Sequence, residues 1–452
     1  MMNRTFLLLF SLLASVVYGQ QYQINGSVPG LENKDVYLLS IQGDSRKIVD
    51  TASTDQTGSF QILLKKDFPP GQYAIVTGPK QMIELIFNNE NIRFVTTGSG
   101  DQDQVQIIES VENMIYYNYL SVKGETMYKL DLLDPLLQYY PKSDTFYSLA
   151  LHEAKALQTH LNERVGELIE NNPNTLAARF LRVDKPVFAD PALSKLEQKA
   201  YLKAHYFNDM DFLDTTLLHS NILTSKIISY MGLYQQRDMS QKQMEDQLLL
   251  AVDTIMQKAL VDQQVYEFVI NFMINGFEHV GFERGLEYIA DNNMLNEFCV
   301  NSERKKKLEN KLELIRKLAI GKTAPDFKTT DLSNDTVELS KIQSDKTILV
   351  FWASWCPHCD EALPQLKKYY SPQNTAHLQI VAVSIDEDEH DLKTAIAKNG
   401  YLWINIGELK GWDGAIVNEY GVVATPTFFV LDKDKKIIAK PTSIDGLKRF
   451  LK

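Results

Sequence analysis

Cysteine is scarce in this sequence, and basic residues and long apolar runs are also in short supply. The 452 residues include three cysteines, too few for a fold stabilised by a disulfide framework. Lys and Arg number 47 against 58 Asp and Glu, so the formal charge is −11 and we expect no nucleic-acid partner. No stretch reaches the roughly 18 uninterrupted apolar residues of a membrane-spanning helix.

The first 19 residues have the three-part pattern of a secretory signal. Arg4 precedes an apolar run at 6–17, and small residues extend to Gly19, after which we expect cleavage. An apolar run of about twelve residues is too short to cross a bilayer, which needs about 20. The alternative is an uncleaved N-terminal anchor. We therefore expect export to an oxidising or redox-managed compartment, where a cysteine pair becomes a structural disulfide or a redox-active dithiol.

The composition is that of a globular protein, with 44% hydrophobic residues, and the length predicts two to four domains. Residues 20–100 alternate apolar and polar positions between turn signals, which predicts an all-β, sandwich-like domain. Its strands are expected at 22–28, 36–41, 59–64, 73–76, 82–87 and 92–95. Residues 101–318 change to a helical period, which predicts an α-helical region. Its helices are expected at 105–123, 148–170, 194–205, 241–260, 264–279 and 303–320.

Residues 319–452 alternate strand-like and helix-like segments, a pattern that predicts an α/β domain. We expect a largely parallel sheet with an antiparallel hairpin at one edge. The strands are expected at 347–352, 378–385, 402–406, 427–431 and 436–439, and the helices at 356–370, 392–398, 414–420 and 444–451.

Two of the three cysteines form the sequence Cys356-Pro-His-Cys359. Cys356 follows a buried strand at the predicted start of a helix, where free N–H groups and the helix dipole stabilise a thiolate. Cys359, one turn later, is placed to resolve a mixed disulfide formed by Cys356. The alternatives are a structural disulfide or half of a zinc site, but zinc normally needs a second Cys/His pair, which the chain lacks.

The sequence around this pair resembles the thioredoxin superfamily. The resemblance rests on Phe351-Trp-Ala-Ser-Trp355 before the pair, on Pro364 after it, and on Ala424-Thr-Pro-Thr-Phe428 further along. The Ala-Pro-Asp-Phe segment at 324–327 and the extra segment around 391–420 look like the secreted TlpA/ResA-type branch. The resemblance covers residues 321–452. The β-rich and helical extension before it is similar, more loosely, to those of bacterial envelope thioredoxin-like proteins.

The resemblance implies a thiol–disulfide oxidoreductase of the periplasm or cell envelope of a Gram-negative-type bacterium. It implies a redox disulfide between Cys356 and Cys359, and no cofactor or metal. The implied partners are cysteine-containing envelope proteins and a second protein that recharges the pair. The extension is a candidate surface for a homo-oligomer.

The resemblance also assigns roles to the neighbours of the two cysteines. The proline matching Pro426 is cis in the family and packs beside the sulfurs, while backbone groups at Thr425 pair with an extended substrate. Trp355 and Pro357 belong to the same active-site motif. His358 matches the residue between the cysteines of the oxidant DsbA, whereas the TlpA/ResA-type branch resembles reductants. The direction of electron flow therefore stays open. Binding of copper by His358 with the two cysteines is a further alternative.

Two positions depart from the family pattern. Val350 stands where thioredoxins keep a buried acid, and Ala362 stands where many ResA-type proteins carry a glutamate. Glu361 is one residue off and should point about 100° away on the helix. The proton acceptor for Cys359 is therefore open between Glu361, water and the substrate. Cys299 is interpreted as a buried, inert thiol or as a mixed-disulfide site.

Two further classes of function compete with disulfide exchange. Peroxiredoxins share the fold but need a Pro-x-x-x-Thr/Ser-x-x-Cys frame, and Leu349 and Ala353 occupy the matching positions. The other class is an envelope binding or scaffold protein, in which the β and helical regions act and the redox domain is minor.

Overall fold

The computed structural model describes residues 22–65, 67–78, 81–96, 105–236, 238–298 and 303–451. The predicted signal segment at 1–19 and Cys299 lie outside these residues. The chain divides into two compact units, Met1–Ser229 and Tyr230–Lys452. Across the described ranges, every helix is too short or too polar to cross a membrane.

The first unit begins with two four-stranded β-sheets. In one sheet the strand order is β4-β1-β7-β8, and in the other it is β3-β2-β5-β6. Ile24 and Phe94 from the first sheet and Leu38 and Ile75 from the second belong to one buried cluster, so the sheets pack face to face. This arrangement confirms the predicted β-rich domain. The strands are β1 Gln23–Ser27, β2 Asp35–Gln42, β3 Ser45–Ser53, β4 Ser59–Leu63, β5 Gly71–Gly78, β6 Gln81–Phe87, β7 Ile92–Thr96 and β8 Val105–Glu109.

Two of these strands differ from the sequence-based expectation. β3 was not predicted, because most of its side chains are exposed and the sequence shows no alternation. β8 occupies residues that the helical period assigned to the first helix. It pairs antiparallel with β7, and the helix begins only at Val111, where the Ser110 side chain accepts the N–H of Asn113. The prediction of helix from residue 105 was therefore wrong by six residues.

Helices complete the first unit. They are α1 Val111–Tyr139, α2 Thr145–Asn171, α3 Leu176–Asp184, α4 Lys195–His205 and α5 Ile222–Gly232, the last of which crosses the unit boundary. The first four begin at capping side chains, at Ser110, Asp144, Thr175 and Ser194. Asn113 fastens α1 to β6, because its amide accepts the N–H of Ile86 at 2.8 Å and donates to the Ile86 carbonyl at 2.7 Å.

The second unit continues with four helices and then the predicted α/β domain. The helices are α6 Gln241–Ala259, α7 Gln263–Val280, α8 Glu283–Asn292 and α9 Glu303–Lys317. The strands are β9 Lys328–Thr330, β10 Thr336–Glu338, β11 Lys346–Trp352, β12 Leu378–Ser384, β13 Ile404–Gly407, β14 Thr427–Asp432 and β15 Ile437–Ala439. The remaining helices are α10 Pro357–Lys367, α11 Glu389–Asn399, α12 Ala415–Glu419 and α13 Ile444–Leu447.

Five of these strands form one sheet in the order β13-β12-β11-β14-β15. β11 runs parallel to β12 and antiparallel to β14, so the sheet has a parallel half and an antiparallel edge, as predicted. β11 is the central strand, and all its residues from Thr347 to Trp352 are buried. The short β9–β10 hairpin lies outside this sheet and was not predicted.

Candidate redox site

Cys356 lies just beyond the end of the central strand and caps the following helix. Its sulfur accepts the N–H of Cys359 at 3.2 Å, the position that a capping oxygen usually occupies. Pro357 takes the first helical position, where a missing N–H does no harm. The N–H of Cys359 and the positive end of the helix dipole therefore face the Cys356 sulfur.

The loop before β14 closes the other side of Cys356. The Thr425–Pro426 peptide bond is cis, and the Thr425 carbonyl oxygen lies 3.4 Å from the Cys356 sulfur, which donates to it as a thiol. Because β14 is antiparallel to β11, its first residue, Thr427, pairs with Phe351 near the end of the central strand. Sheet topology thus brings together two segments that lie about seventy residues apart in the sequence.

Cys359 is more deeply enclosed than Cys356. Its relative exposure is 1% against 3% for Cys356, and both residues are free thiols. Burial, followed by the hydrogen bond with Cys356, raises the pKa of the Cys359 thiol to about 12. Cys359 therefore keeps its proton near neutral pH.

The other residues of the predicted motif surround the sulfurs at the surface. Trp355 is 59% exposed, and Pro357 and His358 are also exposed. Thr425 and Pro426 are half-buried. Trp355 and His358 are thus accessible to solvent.

Neither of the two positions near Cys359 at which relatives carry an acidic residue, 350 and 362, is acidic in this chain. Val350 and Ala362 are both buried hydrocarbon side chains, and Glu361 lies on the exposed side of α10. Within the described ranges, no group of three or more His, Cys, Asp or Glu side chains is arranged to hold a metal ion.

An aromatic group that the sequence analysis did not single out packs near the pair. Tyr401 stacks on Trp403 at 4.6 Å between ring centroids, and its ring lies perpendicular to that of Trp352 at 5.6 Å between centroids. Burial, together with the nearby negative charges of Asp360 and Cys359, raises the pKa of Tyr401 to about 12. The one local signal for this placement is Gly400, whose left-handed conformation (φ 62°) ends α11 directly before Tyr401.

The helical part of the second unit contacts the chain that leads into the cis-proline loop. Gly421 has a left-handed backbone (φ 57°), and a Cβ atom at this position would overlap the side chain of Leu314 on α9. Lys317, also on α9, forms an ion pair with Glu419. The Tyr420 hydroxyl donates to the Pro325 carbonyl at 2.6 Å. The start of the loop is therefore held by Leu314 and Lys317, which precede the α/β domain, and by Pro325 near the start of that domain.

A cysteine pair at the start of the helix after the central strand, with a cis-proline before the neighbouring antiparallel strand, is the arrangement of the thioredoxin fold. Comparison with known proteins agrees with this class. Residues 320–440 match the AhpC/TSA family, residues 22–126 match a domain of unknown function (DUF4369), and residues 173–276 match a second one (DUF5106).

Named relatives give the family within this class. The chain is 34% identical over 122 residues to the thiol-disulfide oxidoreductase ResA of Bacillus thuringiensis subsp. konkukian. The aligned residues are 27% of this chain and 69% of that protein. It is 28% identical over 137 residues to ResA of Geobacillus thermodenitrificans, and these residues are 30% of this chain and 77% of that protein. The chain therefore belongs to the TlpA/ResA-like thiol–disulfide oxidoreductases of the thioredoxin superfamily, with extra N-terminal domains.

Two solved structures are similar to part of the chain. One is the thioredoxin domain of a thiol-disulfide oxidoreductase from Bacteroides vulgatus, at 27% identity and a TM-score of 0.27, covering 30% of this chain and 99% of that one. The other is a domain of a possible thiol-disulfide isomerase from Cytophaga hutchinsonii, at 32% identity and a TM-score of 0.27, covering 30% and 91%.

Proposed function

We propose that this protein exchanges disulfides with cysteine-containing proteins of the bacterial cell envelope through Cys356 and Cys359. The observation that carries the proposal is the position of the Cys356 sulfur, which accepts the Cys359 N–H at the start of α10 and faces the carbonyl of Thr425. A sulfur stabilised as a thiolate at this position is a nucleophile toward disulfides. The secretory-signal pattern of residues 1–19 supports the envelope as the compartment in which the exchange takes place.

In the reducing direction, the Cys356 thiolate attacks one sulfur of a partner disulfide. A bond forms between Cys356 and the partner, the partner's own S–S bond breaks, and its second sulfur leaves as a thiolate. Cys359 then loses its proton and attacks the Cys356 sulfur. The Cys356–Cys359 disulfide forms and the bond between Cys356 and the partner breaks. The partner has gained two electrons and leaves as a dithiol, its two sulfurs taking protons from Cys359 and from water. A second protein with a dithiol returns the electrons, and the reverse sequence oxidises a partner.

The raised pKa of Cys359 explains why Cys359 reacts only after Cys356 has bonded to a partner. The hydrogen bond and the charge of Cys356 both contribute to the raised pKa of Cys359, after the larger effect of burial. Once Cys356 is bonded to a partner, its charge is gone and that contribution disappears. Cys359 is therefore easier to deprotonate in the mixed disulfide than in the resting dithiol. The buried side chains at Val350 and Ala362 cannot take its proton, which leaves water, Glu361 or the departing partner thiolate.

Peroxide reduction is the alternative within the same fold. It needs a proline and a hydroxyl residue at fixed distances before the reactive cysteine. Leu349 and Ala353 occupy those positions, and both are completely buried hydrocarbon side chains. The residues around Cys356 therefore support disulfide exchange over peroxide reduction.

Trapping of the mixed disulfide tests the proposal. In the Cys359→Ala variant the second step cannot occur, so we expect disulfide-linked adducts to accumulate on Cys356 when the protein meets oxidised envelope proteins. Electrophoresis without reductant, followed by mass spectrometry, identifies the adducts and the attached cysteine. The Cys356→Ala/Cys359→Ala double variant is the matched control and should form none at this site. Absence of adducts on Cys356 would contradict the proposal.

A further inference from the structure

Asp386 is a buried carboxyl group beside the redox site that the motif does not include. It lies two residues after the end of β12, and its relative exposure is 2%. β12 is parallel to β11, with Ser384 paired to Trp352, so the carboxyl ends of both strands meet at one edge of the sheet. Asp386 therefore reaches the turn that carries Cys356.

Hydrogen bonds satisfy both oxygens of Asp386. The N–H of Ser354 donates to Oδ2 at 3.0 Å and to Oδ1 at 3.2 Å, and the Ser354 hydroxyl donates to Oδ1 at 2.5 Å. The Ser384 hydroxyl donates to Oδ2 at 2.5 Å and accepts the N–H of Asp386 at 2.9 Å. The backbone N–H of Ser354 and the hydroxyls of two serines therefore enclose the Asp386 carboxyl group.

These contacts hold the turn between the central strand and the active-site helix. Ser354 lies two residues before Cys356, and the Cys356 N–H donates to the Ala353 carbonyl at 3.3 Å. The turn therefore begins at a backbone N–H that is held by Asp386 and ends at the sulfur that caps α10. A turn fixed at its first residue fixes the position of Cys356 relative to the helix N–H groups.

We propose that Asp386 is a positioning residue for Cys356, acting through Ser354. The proposal rests on the proposed disulfide exchange at Cys356 and Cys359. Asp386 does not touch the reacting sulfurs in this arrangement. It holds the turn so that the Cys356 thiolate meets the N–H of Cys359 and the dipole of α10. Since stabilisation of the thiolate favours the reduced pair, loss of Asp386 should favour the disulfide.

The test is the equilibrium of the pair with reduced and oxidised glutathione in the full chain. Asp386→Ala removes all the side-chain acceptors, and we expect the equilibrium to move about tenfold or more toward the Cys356–Cys359 disulfide. Asp386→Asn keeps the shape and one acceptor oxygen, so we expect a shift in the same direction of less than about threefold. Recovery by the conservative variant separates positioning from a general loss of packing.

Leu447→Ala is the matched control for stability, because Leu447 is fully buried in the same domain on α13. It should lower the melting temperature without changing the glutathione equilibrium. If Asp386→Ala does not fold, Ser354→Ala removes one of the same hydrogen bonds and should shift the equilibrium in the same direction. An equilibrium unchanged in folded Asp386→Ala, or in Ser354→Ala where Asp386→Ala does not fold, would overturn the proposal. An equal shift in Leu447→Ala would also overturn it. A wild-type pair that never equilibrates with glutathione would instead overturn the proposed function.

Discussion

Cys359 should react with alkylating reagents far more slowly than an ordinary thiol, because the thiolate is the reactive form and burial suppresses it. The pKa of Cys359 is raised from 9.0 to about 12. At pH 8 the thiolate fraction is then about one in ten thousand, against about one in ten for the unshifted thiol, since each pH unit changes the ratio tenfold. The expected slowing from protonation alone is about a thousandfold.

Replacement of Cys356 separates the causes of this shift. Cys356→Ser removes the thiolate charge while burial stays, so we expect Cys359 to react faster than in the wild type and still much more slowly than in the unfolded chain. The assay is iodoacetamide labelling between pH 7 and pH 12, followed by mass spectrometry of the peptide that contains Cys359. A Cys299→Ala background removes the third thiol. The labelling rate should rise with pH up to about 12. Labelling of Cys359 in the folded protein at the rate of the denatured protein at pH 8 would refute the reasoning.

Three further predictions concern stability. Gly421→Ala should lower the stability of the second unit by about 2–4 kcal/mol, because φ is positive and a Cβ atom would overlap a neighbouring side chain. Gly124→Ala on α1 meets open space and should change stability by less than about 1 kcal/mol. Asn113→Ala should lower the stability of the first unit by about 2–5 kcal/mol, because it leaves the buried N–H and carbonyl of Ile86 unpaired. Glu84→Gln should stabilise the first unit at pH 8 and lose this effect toward pH 4, because burial raises the pKa of Glu84 above 4.5.

The sign of the Glu84 effect follows from proton linkage. Because the pKa of Glu84 is raised, the folded protein binds the Glu84 proton more tightly than the unfolded chain does. Protonation of Glu84 therefore contributes its full stabilisation below pH 4.5, and this stabilisation is lost as the pH rises. Glutamine is neutral at every pH, and the two proteins converge in acid. Calorimetry of each variant measures all three predictions. Equal melting of Gly421→Ala and wild type, a loss under 1 kcal/mol for Asn113→Ala, or a pH-independent effect of Glu84→Gln would each contradict the corresponding argument.

The central strand and the cysteine pair were predictable because their signals are local. Residues 347–352 form an apolar run that the structure buries completely as part of β11, and the cysteines follow it at once. β3 was missed because a strand exposed along most of its length does not need apolar residues at alternate positions. The helix boundary at Val111 was missed because β8 is defined by pairing with β7, which the local period does not record.

The contacts around the pair were not predictable for a different reason. Asp386 meets Ser354 from 32 positions away, and Leu314 meets Gly421 across more than a hundred. Sheet topology and packing create these contacts, and nothing in the local composition of either segment indicates its partner. Tyr401 likewise has an ordinary sequence context apart from the glycine before it.

Equilibration of the full chain with glutathione tests the central claim most directly. Across a series of ratios of reduced to oxidised glutathione, the Cys356–Cys359 pair should convert reversibly between a dithiol and an intramolecular disulfide, with the loss of two hydrogen atoms seen by mass spectrometry. The midpoint also gives the direction of electron flow, since a strongly reducing value indicates a ResA-like reductant and an oxidising value a DsbA-like role. A pair that stays dithiol, or that stops at a glutathione adduct on one cysteine, at every ratio would contradict the account.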